Sequence, residues 1–262
     1  MDGIQFLFNH FGEFLAVLMR LSGIFVATPV LSAGVISGKI KAIIILLVAL
    51  LTFPNLAARG VVPAPGSLPE LVVIGAGEFF VGFTIGFFVL MVITLFQVSG
   101  QFCSIQMGFG IINVFDPLAE ASIPIISQLK DLLVSCVFIY LNGHHFVLQA
   151  VLRSYDLVPV VYSIDLHPVK NAIIQTFERA FHYGFLIGLP LIGIVFLMTM
   201  SLGLLSRLVP QMNVMVMGFG LKVLVGEFTF IMLMPIFMHV AVGLFQDTFE
   251  SVGPLLRAMG GG

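Results

Sequence analysis

The chain has 262 residues, 59% hydrophobic and 9% charged, with a formal net charge of −2. Soluble domains carry about 25% charged residues, so a surface that faces water on all sides is excluded. The balanced charge contains no basic run, which excludes a nucleic-acid footprint. An all-α polytopic membrane protein is the class that remains.

The start, Met1 to Ile4, offers neither a basic n-region nor a small-residue cleavage site, so the first apolar run is expected to stay in place. A hydrocarbon core of roughly 30 Å takes about 20 apolar residues as helix. Six runs meet or approach that length: residues 11–31, 40–58, 71–98, 129–152, 185–205 and 223–245. Pro29 and Pro54 lie near run ends, whereas Pro190 and Pro235 lie inside the last two runs and predict kinks there.

Charged residues inside these runs carry information. Arg20, Glu78 and Glu227 fall well within runs one, three and six. Each costs at least about 2.5–3.5 kcal/mol at a helix centre, so each requires a partner or a wet cavity. Arg20 and Glu78 suit one another as an ion pair between helices; an ion or proton path is the alternative. Between runs one and two, Gly34 to Lys39 approaches a phosphate-binding loop. Its glycines are one residue too close, and Ile40 stands where Ser or Thr would hold magnesium.

Residues 59–70, with three prolines, read as an extended loop. In run three Gly82 and Gly86 form a GxxxG spacing, repeated at the entry to run five by Gly184 and Gly188. Both favour close helix packing, either within the chain or against other subunits.

After run three comes an apolar stretch, Gly100 to Pro117, that reads poorly as helix. Gly100, Gly108 and Gly110 weaken it and Pro117 ends it. Irregular backbone cannot face lipid, because each unpaired N–H or C=O would cost several kcal/mol there. The stretch is therefore expected inside protein or lining a cavity. Its side chains (Met107, Phe109, Ile111, Ile112, Val114 and Phe115) would make a deformable stopper.

Run four contains Asn142-Gly-His144-His145, where a helix break is expected. The adjacent histidines would diverge by about 100° and suit hydrogen bonding better than a shared metal. Cys103 and Cys136 are too far apart in sequence for a CxxC unit and read as two small buried residues. Residues 153–170 are the most water-compatible stretch. No GxSxG, HExxH or paired CxxC motif occurs, so no enzyme, metal or cofactor is expected.

Between runs five and six, residues 203–222 form a second irregular segment. Pro210 breaks the helix, Arg207, Gln211 and Asn213 supply a polar tip, and Met212, Met215 and Met217 keep it greasy. Two Gly-Phe-Gly segments that contain methionine point to a shared lined constriction. With six spans, Lys and Arg divide five to five between the two sides, so charge selects no orientation. The tie suggests that some runs do not cross in the ordinary way.

Taken in order, these pieces resemble the FliR/SctT family of type III secretion export-gate subunits over nearly the whole length. The carriers are Arg20-Leu-Ser-Gly23 with Pro29, Lys39-Ile-Lys41, the segment Glu78 to Gly86, and Gly100 to Gly110 with Asp116-Pro117. They continue through Asn142-Gly-His144, Leu189-Pro190, and Gly203 to Asn213 with Gly218-Phe219 and Lys222. One departure is Gly220, where the family usually has proline.

The resemblance implies a core subunit of the flagellar type III protein export gate, in the bacterial inner membrane at the flagellar basal body. An injectisome gate subunit is the alternative. Implied partners are FliP and FliQ in a hetero-oligomeric tube, FlhB at its cytoplasmic mouth, unfolded flagellar proteins as passengers, and surrounding membrane lipid. Residues 1–172 would be FliP-like, with a plug loop at about 100–117. Residues 173–262 would be a FliQ-like helical hairpin, with its loop at about 206–221. The plug then maps onto Met107, Gly108, Phe109, Gly110, Ile111, Ile112, Val114, Phe115 and Asp116, and the hairpin loop onto Arg207, Pro210, Gln211, Met212, Asn213 and Lys222.

Such a gate needs no catalytic group. It must stop ions yet admit any side chain, and a hydrophobic constriction with soft methionine and aromatic walls blocks ions by dewetting. The competing class is an ion-coupled small-solute transporter, with Glu78 and Glu227 as coupling groups at broken helices.

Overall fold

Hydrocarbon offers the backbone no partners, so an apolar run is stable there when it satisfies its own N–H and C=O groups as helix. The computed structural model describes residues 10–28, 37–62, 65–109, 125–158, 166–209, 211 and 214–260. Its helices are α1 (Phe11–Ala27), α2 (Gly38–Ala58), α3 (Leu68–Met107), α4 (Ile125–Tyr140), α5 (Gly143–Leu157), α6 (Leu166–Leu208) and α7 (Val214–Met259). The described residues contain no strand.

The helices overrun the apolar windows of the sequence. α3, α6 and α7 hold 40, 43 and 46 residues. At 1.5 Å per residue they are about 60–70 Å long, twice the hydrocarbon thickness. Among the described residues, four helices are long and apolar enough to cross a membrane (α2, α3, α6 and α7), and α4 with α5 makes a fifth if the bent pair is one span. α1, with 17 residues, is shorter than that. Among the described residues the six runs thus yield four or five candidate spans.

Run four bends by 60° between α4 and α5. The turning residue is Asn142, whose φ of 54° makes it the one non-glycine residue with positive φ among the described residues. Asparagine tolerates this left-handed conformation better than other side chains. By contrast, neither Pro190 nor Pro235 ends its helix. α3 also runs through Gly100 to Met107, so the chain leaves helix at Gly108, later than the glycine pattern suggests. Gly100 fits there because α4 passes close by: a β-carbon on it would lie 2.7 Å from Ser127 Cα.

The chain divides into two compact units. The first comprises Met1–Met91, Asn142–Phe177 and Phe245–Gly262, and the second Val92–Leu141 and Glu178–Leu244. In the first, α1 packs against α2, with Phe14 edge-on to Phe53 at 5.4 Å between ring centroids. Most of α2 stays exposed, with only Ala49, Phe53 and Leu56 buried. Phe146 of α5 stacks on Phe249 of α7 at 4.1 Å. The second unit is built on Cys103, Met107, Ile126, Leu191, Val195 and Phe230, with Phe109, Leu133 and Leu233 packed around them.

Candidate functional site

Within the first unit, Arg20 of α1 and Glu78 of α3 are both buried and form a bidentate ion pair. Arg20 Nε donates to Glu78 Oε2 at 2.5 Å, and Nη2 donates to Oε1 at 2.9 Å. Nη1 donates to Ser154 Oγ at 2.7 Å, and Nη2 also reaches the Val158 carbonyl at 3.3 Å. The guanidinium lies over the Tyr155 ring at 3.9 Å. Ser154 passes the chain of bonds on, donating to the Val151 carbonyl at 2.6 Å. Four of the five guanidinium N–H groups are thereby used. A buried charge is tolerated under those conditions: paired, hydrogen-bonded and stacked.

Small residues let the two helices approach closely enough for the pair to form. A β-carbon on Gly82 would collide with the Arg20 carbonyl oxygen, and one on Gly23 with the Phe79 carbonyl oxygen. One on Gly86 would lie 2.8 Å from Ala27 Cβ. The first GxxxG therefore serves packing of α1 on α3 within the chain. The second does the same inside the second unit, where Gly184 faces the Leu95 backbone and Gly188 faces Ser99 Oγ at 3.2 Å from an added β-carbon.

The second unit holds the foot of the expected plug. Met107 ends α3 fully buried, and a β-carbon on Gly226 of α7 would come within 2.6–2.9 Å of its Cε, Cγ and Sδ. Gly108 follows with φ of 96°, its N–H bonded to the Ile105 carbonyl at 3.0 Å. Such a φ suits a residue without a β-carbon, and it lets the chain turn off the helix axis at once. Phe109 then sits edge-on to Phe219 of α7 at 6.4 Å. Gly110, Ile111, Ile112, Val114, Phe115 and Asp116 lie outside the described residues.

α6 and α7 form a hairpin: Gly218 is buried, and a β-carbon there would lie 3.2 Å from Leu202 Cδ1. Arg207 and Gln211 are exposed at its tip, and Lys222 is half-buried on α7. Pro210, Met212 and Asn213 lie outside the described residues. Gly220, in the place of the family's usual proline, has open space around it. Glu227, the remaining intramembrane charge, is exposed on α7 of the second unit.

Sequence reasoning missed the partners of Arg20 on α5, because Ser154 and Tyr155 lie just beyond run four, in the water-compatible stretch 153–170. It also missed Lys130, which stands at the very start of run four and entered only the tally of Lys and Arg. Lys130 is 2% exposed, with Nζ at 3.1 Å from Ser99 Oγ, 3.7 Å from Cys103 Sγ and 5.6 Å from the Phe237 ring centroid. The small residues Gly100 and Ser127 were the signal for a close crossing: a β-carbon on Gly100 would lie 2.7 Å from Ser127 Cα and 3.2 Å from Lys130 Cδ. Of the two cysteines expected to be buried, Cys103 is, packed in the core of the second unit, whereas Cys136 is exposed on α4.

Comparison with known proteins bears on this geometry. The family model of bacterial export proteins, family 1, matches residues 11–248. The chain is 28% identical over 256 residues to the flagellar biosynthetic protein FliR of Bacillus subtilis, covering 95% of this chain and 96% of that one. It is 23% identical to the protein of the same name from Escherichia coli, covering 92% of each. A third relative of that name, from Pectobacterium carotovorum, is 23% identical over 96% of this chain and 95% of its own.

Proposed function

The chain belongs to the bacterial export proteins, family 1, and from that premise we propose that it is a core subunit of the flagellar type III protein export gate. In this reading it forms a channel for unfolded flagellar proteins together with FliP and FliQ, with FlhB at the cytoplasmic mouth. The assembly sits in the bacterial inner membrane at the flagellar basal body. Residues 1–172 supply the FliP-like part and residues 173–262 the FliQ-like hairpin. The chain contributes no catalytic group, and motive force comes from its partners.

The single observation that carries the sealing role is the junction at Met107 to Phe109. The end of α3 is packed by Met107 against Gly226, and the next residue, Gly108, takes a left-handed conformation that ends the helix. The residues that follow are apolar as far as Phe115 apart from Asn113, as a dewetting constriction requires.

The transporter reading is less favoured by the same geometry. Both Glu78 oxygens accept from one guanidinium in a buried pair, which leaves that carboxylate poorly placed to bind and release an ion. Extraction in mild detergent tests the proposal. Co-purification with FliP and FliQ is expected, whereas an active lone chain or homodimer would favour the transporter instead.

A further inference from the structure

One face of α7 suits neither water nor lipid. Leu224, Glu227, Phe228, Ile231, Met232 and Ile236 recur at three- and four-residue intervals, so they share one side of the helix. All of them are exposed, and Leu224, Phe228, Ile231 and Met232 are each 65–66% exposed. A continuous apolar stripe of this kind marks a surface that is covered in the working protein. Lipid tails could cover the hydrocarbon side chains, but Glu227 stands among them. Among the described residues it has neither an ion-pair nor a hydrogen-bond partner. The nearest cation along α7, Lys222, is five residues away, about 140° round the helix, and so lies off this face.

An exposed carboxylate in an apolar stripe of a candidate span calls for a complementary charge from outside the chain. We propose that this face of α7 docks an apolar transmembrane helix of a different subunit, and that this helix presents a Lys or Arg side chain to Glu227. A second copy of the chain does not meet the requirement. A two-fold contact through the same face would bring two Glu227 carboxylates towards each other and supply no cation, because the stripe carries none. The proposal rests on the gate reading for the existence of other subunits. It adds the residue by which this chain selects one of them.

The test places the photo-cross-linker p-benzoyl-phenylalanine at position 228 of the full chain, with irradiation in native membranes. A cross-link to a different membrane subunit is expected. It should fall at least tenfold in Glu227→Lys and recover when one intramembrane Lys or Arg of the captured subunit is exchanged for Glu. If Glu227→Lys fails to accumulate, the same exchange in the partner should restore its level; failure of every such exchange would overturn the proposal. Cross-links only to lipid, or only to a second copy, would also overturn it, as would an unchanged yield in Glu227→Lys. Should FliP and FliQ co-purify while position 228 reaches neither, this inference fails and the gate reading stands. Should the chain purify alone, both fail.

Discussion

The carbonyl oxygen of Arg20 fills the space that a β-carbon on Gly82 would need, while the Arg20 guanidinium meets Glu78 one turn earlier on the same helix. Backbone approach and ion pair are therefore one device. The glycine lets α1 and α3 come close, and closeness puts the charges in bidentate register. Gly82→Ala should destabilise the detergent-extracted protein by about 1–3 kcal/mol, the usual cost of overpacking. Gly193→Ala and Gly243→Ala, which have open space at the added carbon, should leave thermal unfolding nearly unchanged. Equal losses at all three sites would contradict this packing.

Removing one partner of the buried pair should cost more than removing both. Arg20→Met or Glu78→Leu leaves an uncompensated charge and should cost about 3–5 kcal/mol. The double apolar variant should recover a large part of that. Exchanging the two charges should not recover it, because an acid at position 20 would meet the Val158 carbonyl and the Tyr155 ring face. Full rescue by the exchange would show that the surroundings of Arg20 matter little.

The contact of Met107 with Gly226 makes a coupling prediction. Gly226→Leu should displace Met107 and lower stability, and Met107→Ala in the same chain should relieve part of the loss. Residues in contact typically show coupling of about 0.5–3 kcal/mol. Strict additivity of the two substitutions, measured by unfolding of the purified assembly, would place Met107 elsewhere.

Lys130 is enclosed by Ser99, Cys103 and Phe237, with no carboxylate paired to it among the described residues. An ammonium so placed gives up hydration without a full ion pair in return. Lys130→Met should leave stability unchanged or raise it by about 1 kcal/mol. A drop of several kcal/mol would mean that the ammonium holds the unit together.

The long helices and the Arg20–Glu78 pair were legible in the sequence for one reason: hydrocarbon penalises unpaired polar groups so heavily that apolar runs and their rare charges must obey it. Helix ends were less legible. A window of 20 residues sees the hydrocarbon thickness, whereas α3, α6 and α7 continue into polar residues that helices outside lipid accept. Gly100 reads locally as a helix breaker, yet it is kept inside α3 because Ser127 occupies the room left by its missing side chain. Lys130 reads as a charge at the end of an apolar run for the converse reason: its enclosure depends on α3, α4 and α7 meeting, which no local pattern records. The GxxxG pairs announced close packing without naming the partner, and it took coordinates to assign both to contacts within the chain.

The most direct measurement is the ion conductance of the assembled complex in a planar bilayer after removal of residues 110–115, with Met107, Gly108 and Phe109 kept as the anchored foot. The sealing account predicts a clear rise in resting ion leak while export in cells persists. Conductance held at the level of the intact assembly would contradict it.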